Sequence, residues 1–201
     1  LGALVLQPRS VEYAKNTGVK IHVRSSFNYN EGTIDQESVD MENGLAVKGL
    51  ALDKNCAKMA IFNLPDKPGI AMKLFSTLAN ENINVDMIVQ SIRTDNKNIN
   101  DIVFTTNKAE SNKTKQIIEE IGRDIGILGV LVDENVAKIS IVGAGMLGSP
   151  GIAAKMFEAL AVAEVNIKVI STSEISISCL IGADKVKEAV NAIHDSFFPI
   201  G

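Results

Sequence analysis

The segment Pro68-Gly69-Ile70-Ala71 occurs a second time as Pro150-Gly151-Ile152-Ala153, an offset of 82 (150 − 68). Agreement continues at Lys73/Lys155, Phe75/Phe157, Leu78/Leu160, Ala79/Ala161, Asn84/Asn166 and Ile88/Ile170. A repeat of this density limits the fold more than any other feature, because each copy has to be one structural unit. Whatever the chain does, it is expected to do with a pair.

At 201 residues and 46% hydrophobic, a chain with a period near 80 is expected to build two small cores rather than one large one. The formal charge of −4, with basic and acidic residues interspersed, leaves no electrostatic footprint for a phosphate backbone, so nucleic acid is not an expected partner. No apolar run approaches the ~20 residues of a membrane span, and the amino end lacks the pattern of a signal peptide. The expected setting is cytoplasmic, with no membrane partner. Cys56 and Cys179 are far apart without metal-ligand spacing and read as free thiols. His22 and His194 are equally isolated, and neither is expected to act as ligand or base.

Along the chain, Leu1 is not an initiator methionine, which suggests a fragment or a processed product. Gln7-Pro8-Arg9-Ser10 opens a short helix with proline near its start, and 19–23 alternates as a half-buried strand does. One helix and one strand cannot bury a core alone, so this leader is expected either to have lost its neighbours or to pack on something else. Residues 25–40 are polar and read as a linker or mobile loop. Strands are expected over 45–52 and 57–62. Ala71, Leu74, Phe75 and Leu78 then mark one face of a helix that ends near 80–82. Strands around 85–89 and 101–105, a helix capped by Ser111 and a strand over 127–132 complete a strand-helix-strand-strand-helix-strand unit, the split βαβ pattern of a ferredoxin-like module. The second copy repeats it with strands at 138–142, 166–171 and 175–181, a helix over 151–163 and a last helix capped by Asp184. Too little chain follows for a closing strand. The spare strand at 45–52 fills that place if the two modules are interleaved.

Among chemical motifs, Gly143-Ala144-Gly145-Met146-Leu147-Gly148 has the GxGxxG form of a dinucleotide site. The position where such a site needs an acid holds Lys168, and the corresponding turn of the first copy lacks the glycines. A turn two residues longer than its counterpart is the simpler reading. No paired carboxylates and no Ser/His/Asp set appear, so no catalytic residue is expected. The Pro-Gly turns remain. A strand-to-helix turn leaves the first helical N–H groups unpaired and open to an anion such as a free carboxylate. In the first copy Asp66 suits an ammonium group and Gln90 a polar side chain, so an amino acid fits the set. The plainer alternative is that Pro-Gly makes the turn and Asp66 is solvated.

The stretches 57–62, Asp66-Lys67-Pro68-Gly69-Ile70-Ala71 and 83–90 resemble the first ACT domain of bacterial aspartate kinases. Residues 138–141, 149–160 and Ile170-Ser171-Thr172-Ser173-Glu174-Ile175 resemble the second, and 6–12 with 22–27 is similar to the end of the amino-acid-kinase domain of the same enzymes. The resemblance implies an α+β chain of two ferredoxin-like βαββαβ ACT modules, interleaved, each an antiparallel sheet covered by helices on one face. Its implied divisions are a kinase-domain remnant over 1–27, a linker over 28–44, a first ACT domain over 45–133 and a second over 134–201.

The parent enzyme would be an aspartate kinase that uses ATP and Mg in a domain this chain lacks. The chain itself would be a non-catalytic regulatory region without cofactor or metal. Lysine and/or threonine would be the effector, with homodimerisation through the ACT modules and a kinase domain or catalytic subunit as partner. Carried over by motif, the effector pocket would use Asp66, Gly69, Ile70, Ala71 and Gln90, with Asn166 and Ile167 from a partner chain. A second pocket would use Met146, Ser149, Gly151 and Ile152 with Asn84 and Val85, and Ser173 near its floor. Asp86 in one copy stands where Lys168 stands in the other, so the pockets need not take the same ligand. Two other classes remain in view: an ACT-type oligomerisation module without effector, and an NAD-binding enzyme, which Lys168 disfavours.

Overall fold

A computed structural model describes residues 6–35, 46–92, 98–143 and 149–198. The chain divides into two compact units, Leu1–Leu45 and Ala46–Gly201. In the first, α1 (Pro8–Thr17) has proline in its first turn, where an N–H has no intrahelical partner anyway. A short hairpin follows, with β1 (Ile21–Val23) antiparallel to β2 (Thr33–Asp35). The polar stretch over 25–40 thus holds a strand in its described part. Side-chain hydrogen bonds onto backbone organise it: His22 Nε2 lies 2.6 Å from the Glu31 carbonyl, and the Arg24 guanidinium donates to the carbonyls of Tyr29 and Asn30. Phe27 and Tyr29 are almost fully exposed, and Ala14 is the one buried apolar residue among those described in this unit.

The second unit runs β3 (Gly49–Asp53), β4 (Cys56–Pro65), α2 (Ile70–Asn80), β5 (Val85–Ile92), β6 (Ile99–Asn107), α3 (Ser111–Ile125), β7 (Gly129–Asp133), β8 (Val136–Val142), α4 (Ile152–Val162), β9 (Ile167–Thr172), β10 (Ser176–Gly182) and α5 (Val186–Phe197). Two antiparallel four-stranded sheets result, in the orders β5-β6-β4-β7 and β3-β8-β10-β9. Strand β3 pairs with β8 from Gly49↔Val142 to Asp53↔Lys138, while β7 holds the corresponding edge of β4 from Phe62↔Gly129 to Lys58↔Asp133. The modules are therefore interleaved: the first is inserted between the edge strand of the second and the rest of it.

Side-chain alternation decides which faces are covered. Met59 and Ile61 on β4 join Phe104, Leu74, Leu78 and Ile118 under α2 and α3, with the Phe75 and Phe104 rings edge to face at 5.6 Å. Ile139 and Ile141 on β8 join Cys179, Met156, Leu160 and Ile193 under α4 and α5. Each fully buried side chain of this size contributes roughly 1.5–3 kcal/mol. The opposite parity of the same strands forms a third cluster, Cys56, Val136 and Leu180 with Val169 against them. The modules meet there, β4 against β8 and β5 against β9.

The repeat extends to single hydrogen bonds. Gly69 and Gly151 precede α2 and α4 with φ of 89° and 95°, a region that disfavours any side chain, which accounts for glycine at both turns. Ile83 N–H donates to the Leu78 carbonyl and Val165 N–H to that of Leu160, both at 2.9 Å, closing the two helices alike. Superposing β3–β4 on β7–β8 reveals a further set of identities, Asp53/Asp133, Asn55/Asn135, Ala57/Ala137, Lys58/Lys138 and Ile61/Ile141, at an offset of 80 (133 − 53). The step from 80 to 82 falls in the longer turn after β8.

Three local expectations change. Ser111 is the first residue of α3 rather than its cap, and its hydroxyl donates to the Glu134 carboxylate. The cap belongs one turn earlier, where the Asn107 side chain accepts from Ala109 N–H at 2.9 Å at the start of a 3-10 turn over Lys108–Glu110. Asp184 lies inside a 3-10 turn, Ala183–Lys185, and α5 begins after it without a side-chain cap. Gly143 has a structural cause: a Cβ there would lie 2.1 Å from the Ala46 carbonyl oxygen, where the chain enters β3.

Candidate functional site

Asp66, Gly69, Ile70, Ala71 and Gln90 converge at one end of the first module. Strands β4 and β5 both run antiparallel to β6, so their carboxyl ends lie on the same side. Asp66 directly follows β4, and its N–H donates to the Asn98 carbonyl at 2.8 Å, which fixes the turn. Gly69 then delivers the chain into α2 with Ile70 and Ala71 in the first turn. Gln90 stands near the end of β5, opposite Ile102. Asp66, Ala71 and Gln90 are exposed. An unsatisfied helix start, a carboxylate and an amide on one rim give donors for a carboxylate, an acceptor for an ammonium and a group for a polar side chain.

In the second module Ser149, Gly151 and Ile152 occupy the equivalent helix start. Ser173 is in the turn between β9 and β10, where its N–H donates to the Ser176 carbonyl at 2.8 Å and its hydroxyl lies 2.8 Å from that of Ser176. Met146 and the rest of 144–148 lie outside the described residues.

Asn166 and Ile167 lead into β9, and Asn84 and Val85 into β5. Within one chain these leads are not near the opposing turns. Lys168, next after Ile167, reaches Asp133 opposite Lys58 near the start of β4, whereas Asp66 follows the far end of that strand. Eight residues (66 − 58) at ~3.3 Å each put the two roughly 26 Å apart along the strand. Asp66 and the Asn166–Ile167 lead are thus separate within a protomer, while Val89, next to Gln90, lines one cavity with Ile167.

Asp86 and Lys168 prove to be equivalent in a way periodicity does not show. Each is in the register shift of its strand, between Val85 and Ile88 in β5 and after Ile167 in β9. Each turns to the other module. Lys138 Nζ, nearly buried, pairs with Asp86, and Lys168 Nζ pairs with Asp133 at 2.6 Å. Burial alone pushes the Asp133 carboxyl up. The hydrogen bond from Lys168, the Asn135 N–H and the charges of Lys168 and Lys58 outweigh it and hold the group below the ordinary aspartate range. Burial pushes the Cys179 thiol up to about 12. Burial and the Asp53 charge raise that of Cys56. Neither thiol is disposed to chemistry. Sequence reasoning passed over Asp53, Asp133 and Lys138, whose only signal was the identity hidden at the second offset.

Among the described residues no group of three or more His, Cys, Asp or Glu is placed to hold a metal ion, and no helix is long and apolar enough to cross a membrane. The sheets are antiparallel throughout, and Lys168 is committed to Asp133, so the parallel framework of a dinucleotide site is not present in the described fold.

The family model for the ACT domain matches residues 58–126 and again 139–197. The matches begin within β4 and β8, the first strand of each module after β3. The fold and the matches define a tandem ACT-domain protein. An aspartokinase of Thermus thermophilus is 43% identical over 98% of this chain and 48% of its own length. The solved regulatory subunit of aspartate kinase from the same organism, in ligand-free form, is 38% identical with a TM-score of 0.71, covering 76% of this chain and 99% of that one. Aspartate kinase from Synechocystis is 40% identical with a TM-score of 0.75, covering 98% of this chain and 36% of that one. The chain belongs to the aspartokinase family and comprises its regulatory ACT region; it spans about half the length of the curated relatives it matches.

Proposed function

We propose that this chain is the feedback sensor of an aspartate kinase, binding lysine and/or threonine between the first ACT module of one protomer and the second of its partner. The observation that carries the reading is the joint placement of Asp66, the Gly69 helix start and Gln90 on one exposed rim, with the complementary Asn166–Ile167 lead about a strand's length away in the same chain. A head-to-tail pair of protomers would supply each rim with the lead it lacks, and by the repeat it would do so for Ser149, Gly151, Ile152 and Ser173 against Asn84 and Val85. In the full enzyme, ATP and Mg would be handled by a kinase domain, to which the exposed aromatic residues of the 1–45 unit would dock. Effector binding would shift a two-state arrangement of the dimer, a coupling typically worth ~1–3 kcal/mol.

Calorimetric titration with lysine, threonine and methionine, with NADH and ATP as controls, tests this. Saturable binding of lysine or threonine that weakens at least tenfold in Asp66→Ala is expected. No heat with any amino acid would sink the reading. A second reading, an ACT module that only associates, is favoured by exposed Ile88 and Ile170 on β5 and β9. It would be established by a stable dimer that binds none of these ligands.

A further inference from the structure

Between the two modules, on the side of Lys138, lies a cavity of about 300 Å³ lined by Asp53, Asn84, Asp86, Thr105, Asn107 and Lys138, among others. That volume is at the lower end of the range typical of small-molecule sites. Thr105 is 1% exposed and lines this cavity, yet its hydroxyl has no hydrogen-bond partner within the protein. Buried hydroxyls are nearly always paired, so one left open in the wall of a polar cavity points to something that pairs with it there.

The charges define what that is. Lys138 neutralises Asp86 by direct contact. Asp53 accepts the Asn55 N–H at 2.8 Å on one carboxylate oxygen, and no ammonium group is bonded to it among the described residues. The wall therefore carries two carboxylates against one ammonium. The equivalent place across the pseudo-twofold shows what a closed version looks like: Leu180, aligned with Thr105 through the pairs Ile181↔Ile167 and Thr106↔Val85, is fully buried against Val136 and Val169. The cavity that Lys168 and Val169 line with Val89, Val103, Ile167 and Ile170, about 310 Å³, is mainly apolar, whereas the one at Thr105 has a polar wall.

We propose that this intermodule cavity binds a small organic cation bearing a primary ammonium group, held by the Asp53 carboxylate and the Thr105 hydroxyl. The site lies within one protomer and is separate from the rim around Asp66; it shares Asn84 and Val85 with the second proposed effector pocket, but its ligand contacts, Asp53 and Thr105, belong to neither pocket.

The test is calorimetric titration of the full chain with methylammonium, ethanolammonium and 1,4-diammoniobutane chlorides, against potassium chloride at matched ionic strength. Amide chemical shifts near Thr105 and Asn55 locate the ligand. Saturable amine binding is expected, weakened at least tenfold by Thr105→Val and further by Asp53→Asn. Thr105→Val is also expected to raise the Tm of the unliganded protein by a few degrees, since it removes an unpaired buried hydroxyl without changing shape. A fall in that Tm would show the hydroxyl to be satisfied inside the protein and overturn the assignment. So would potassium alone producing the same saturable response, binding retained in both variants, or no response to any amine. Amine binding abolished by Asp66→Ala would place the ligand on the other rim and equally overturn it.

Discussion

The two sides of the intermodule interface are built from equivalent positions and, of the four compared, differ at two. On one side Lys58, Asp133 and Lys168 gather; on the other Lys138, Asp53 and Asp86 share a cavity wall with Thr105, whose equivalent in the second module is the buried Leu180. The lysine and the first aspartate are identical between copies, while the bulge residue inverts its charge and the strand residue changes from leucine to threonine. One position is thereby filled by leucine with its carboxylate paired to lysine, while the other opens on a polar cavity with one more carboxylate than ammonium. Duplicated modules can keep a backbone to the level of single hydrogen bonds and still diverge in what the space between them is for.

The largest effect should come from emptying the filled side. Leu180→Ala removes a fully buried side chain and is expected to cost about 2–5 kcal/mol, read from urea unfolding. A cost below 1 kcal/mol would mean that side is not packed as described. Next comes Asp133→Ala, which leaves Lys168 and Lys58 without their common carboxylate, and about 1–3 kcal/mol at pH 7 is expected. The sign of its pH dependence follows from a folded pKa below the unfolded one. The stabilisation is fully present above ~3.9 and is lost as pH falls through the lower folded value, so wild type and variant should converge in acid. Divergence there would contradict the assignment.

Asp86→Ala, the counterpart on the open side, should cost less, about 1 kcal/mol or under, because the Asp86 side chain is half exposed and water can replace it at Lys138. Equal losses for the two aspartates would erase the contrast between the sides. The smallest effect concerns the thiols. Both should resist a water-soluble disulfide reagent in the native state, and Cys56, at the interface, should become reactive at lower denaturant than Cys179 inside a module core.

Much of the scaffold was legible in sequence because local pattern decided it. The i, i+3, i+4, i+7 spacing in α2 and the recurrence of Pro-Gly placed two helices within a residue or two of their ends. The shortage of chain after α5 pointed to the spare upstream strand as its replacement, as β3 proves to be. Strand β1 was legible from the alternation over 19–23, but its partner β2 was not, because the turn between them is organised by His22 and Arg24 reaching across to backbone carbonyls. The caps assigned to Ser111 and Asp184 failed because a 3-10 turn precedes each helix, so that the residue before the first α-helical turn is already in a helical turn and needs no side-chain cap. As for the sites, the rim around Asp66 could be read from motif, but Thr105 could not. A threonine in a strand is ordinary, and only the loss of every partner on folding marks it out.

The insertion of one module into the other has a consequence for how the chain is made. Strand β3 leaves the ribosome with Leu50 and Leu52 in it, but β8, its only hydrogen-bonded neighbour in the sheet, begins 83 residues later (136 − 53). At 5–20 residues per second that is a delay of ~4–17 s, during which the first module can complete itself and the waiting strand cannot. Synthesis order thus makes the second module a late product, finished by threading its tail back to a segment made before the first.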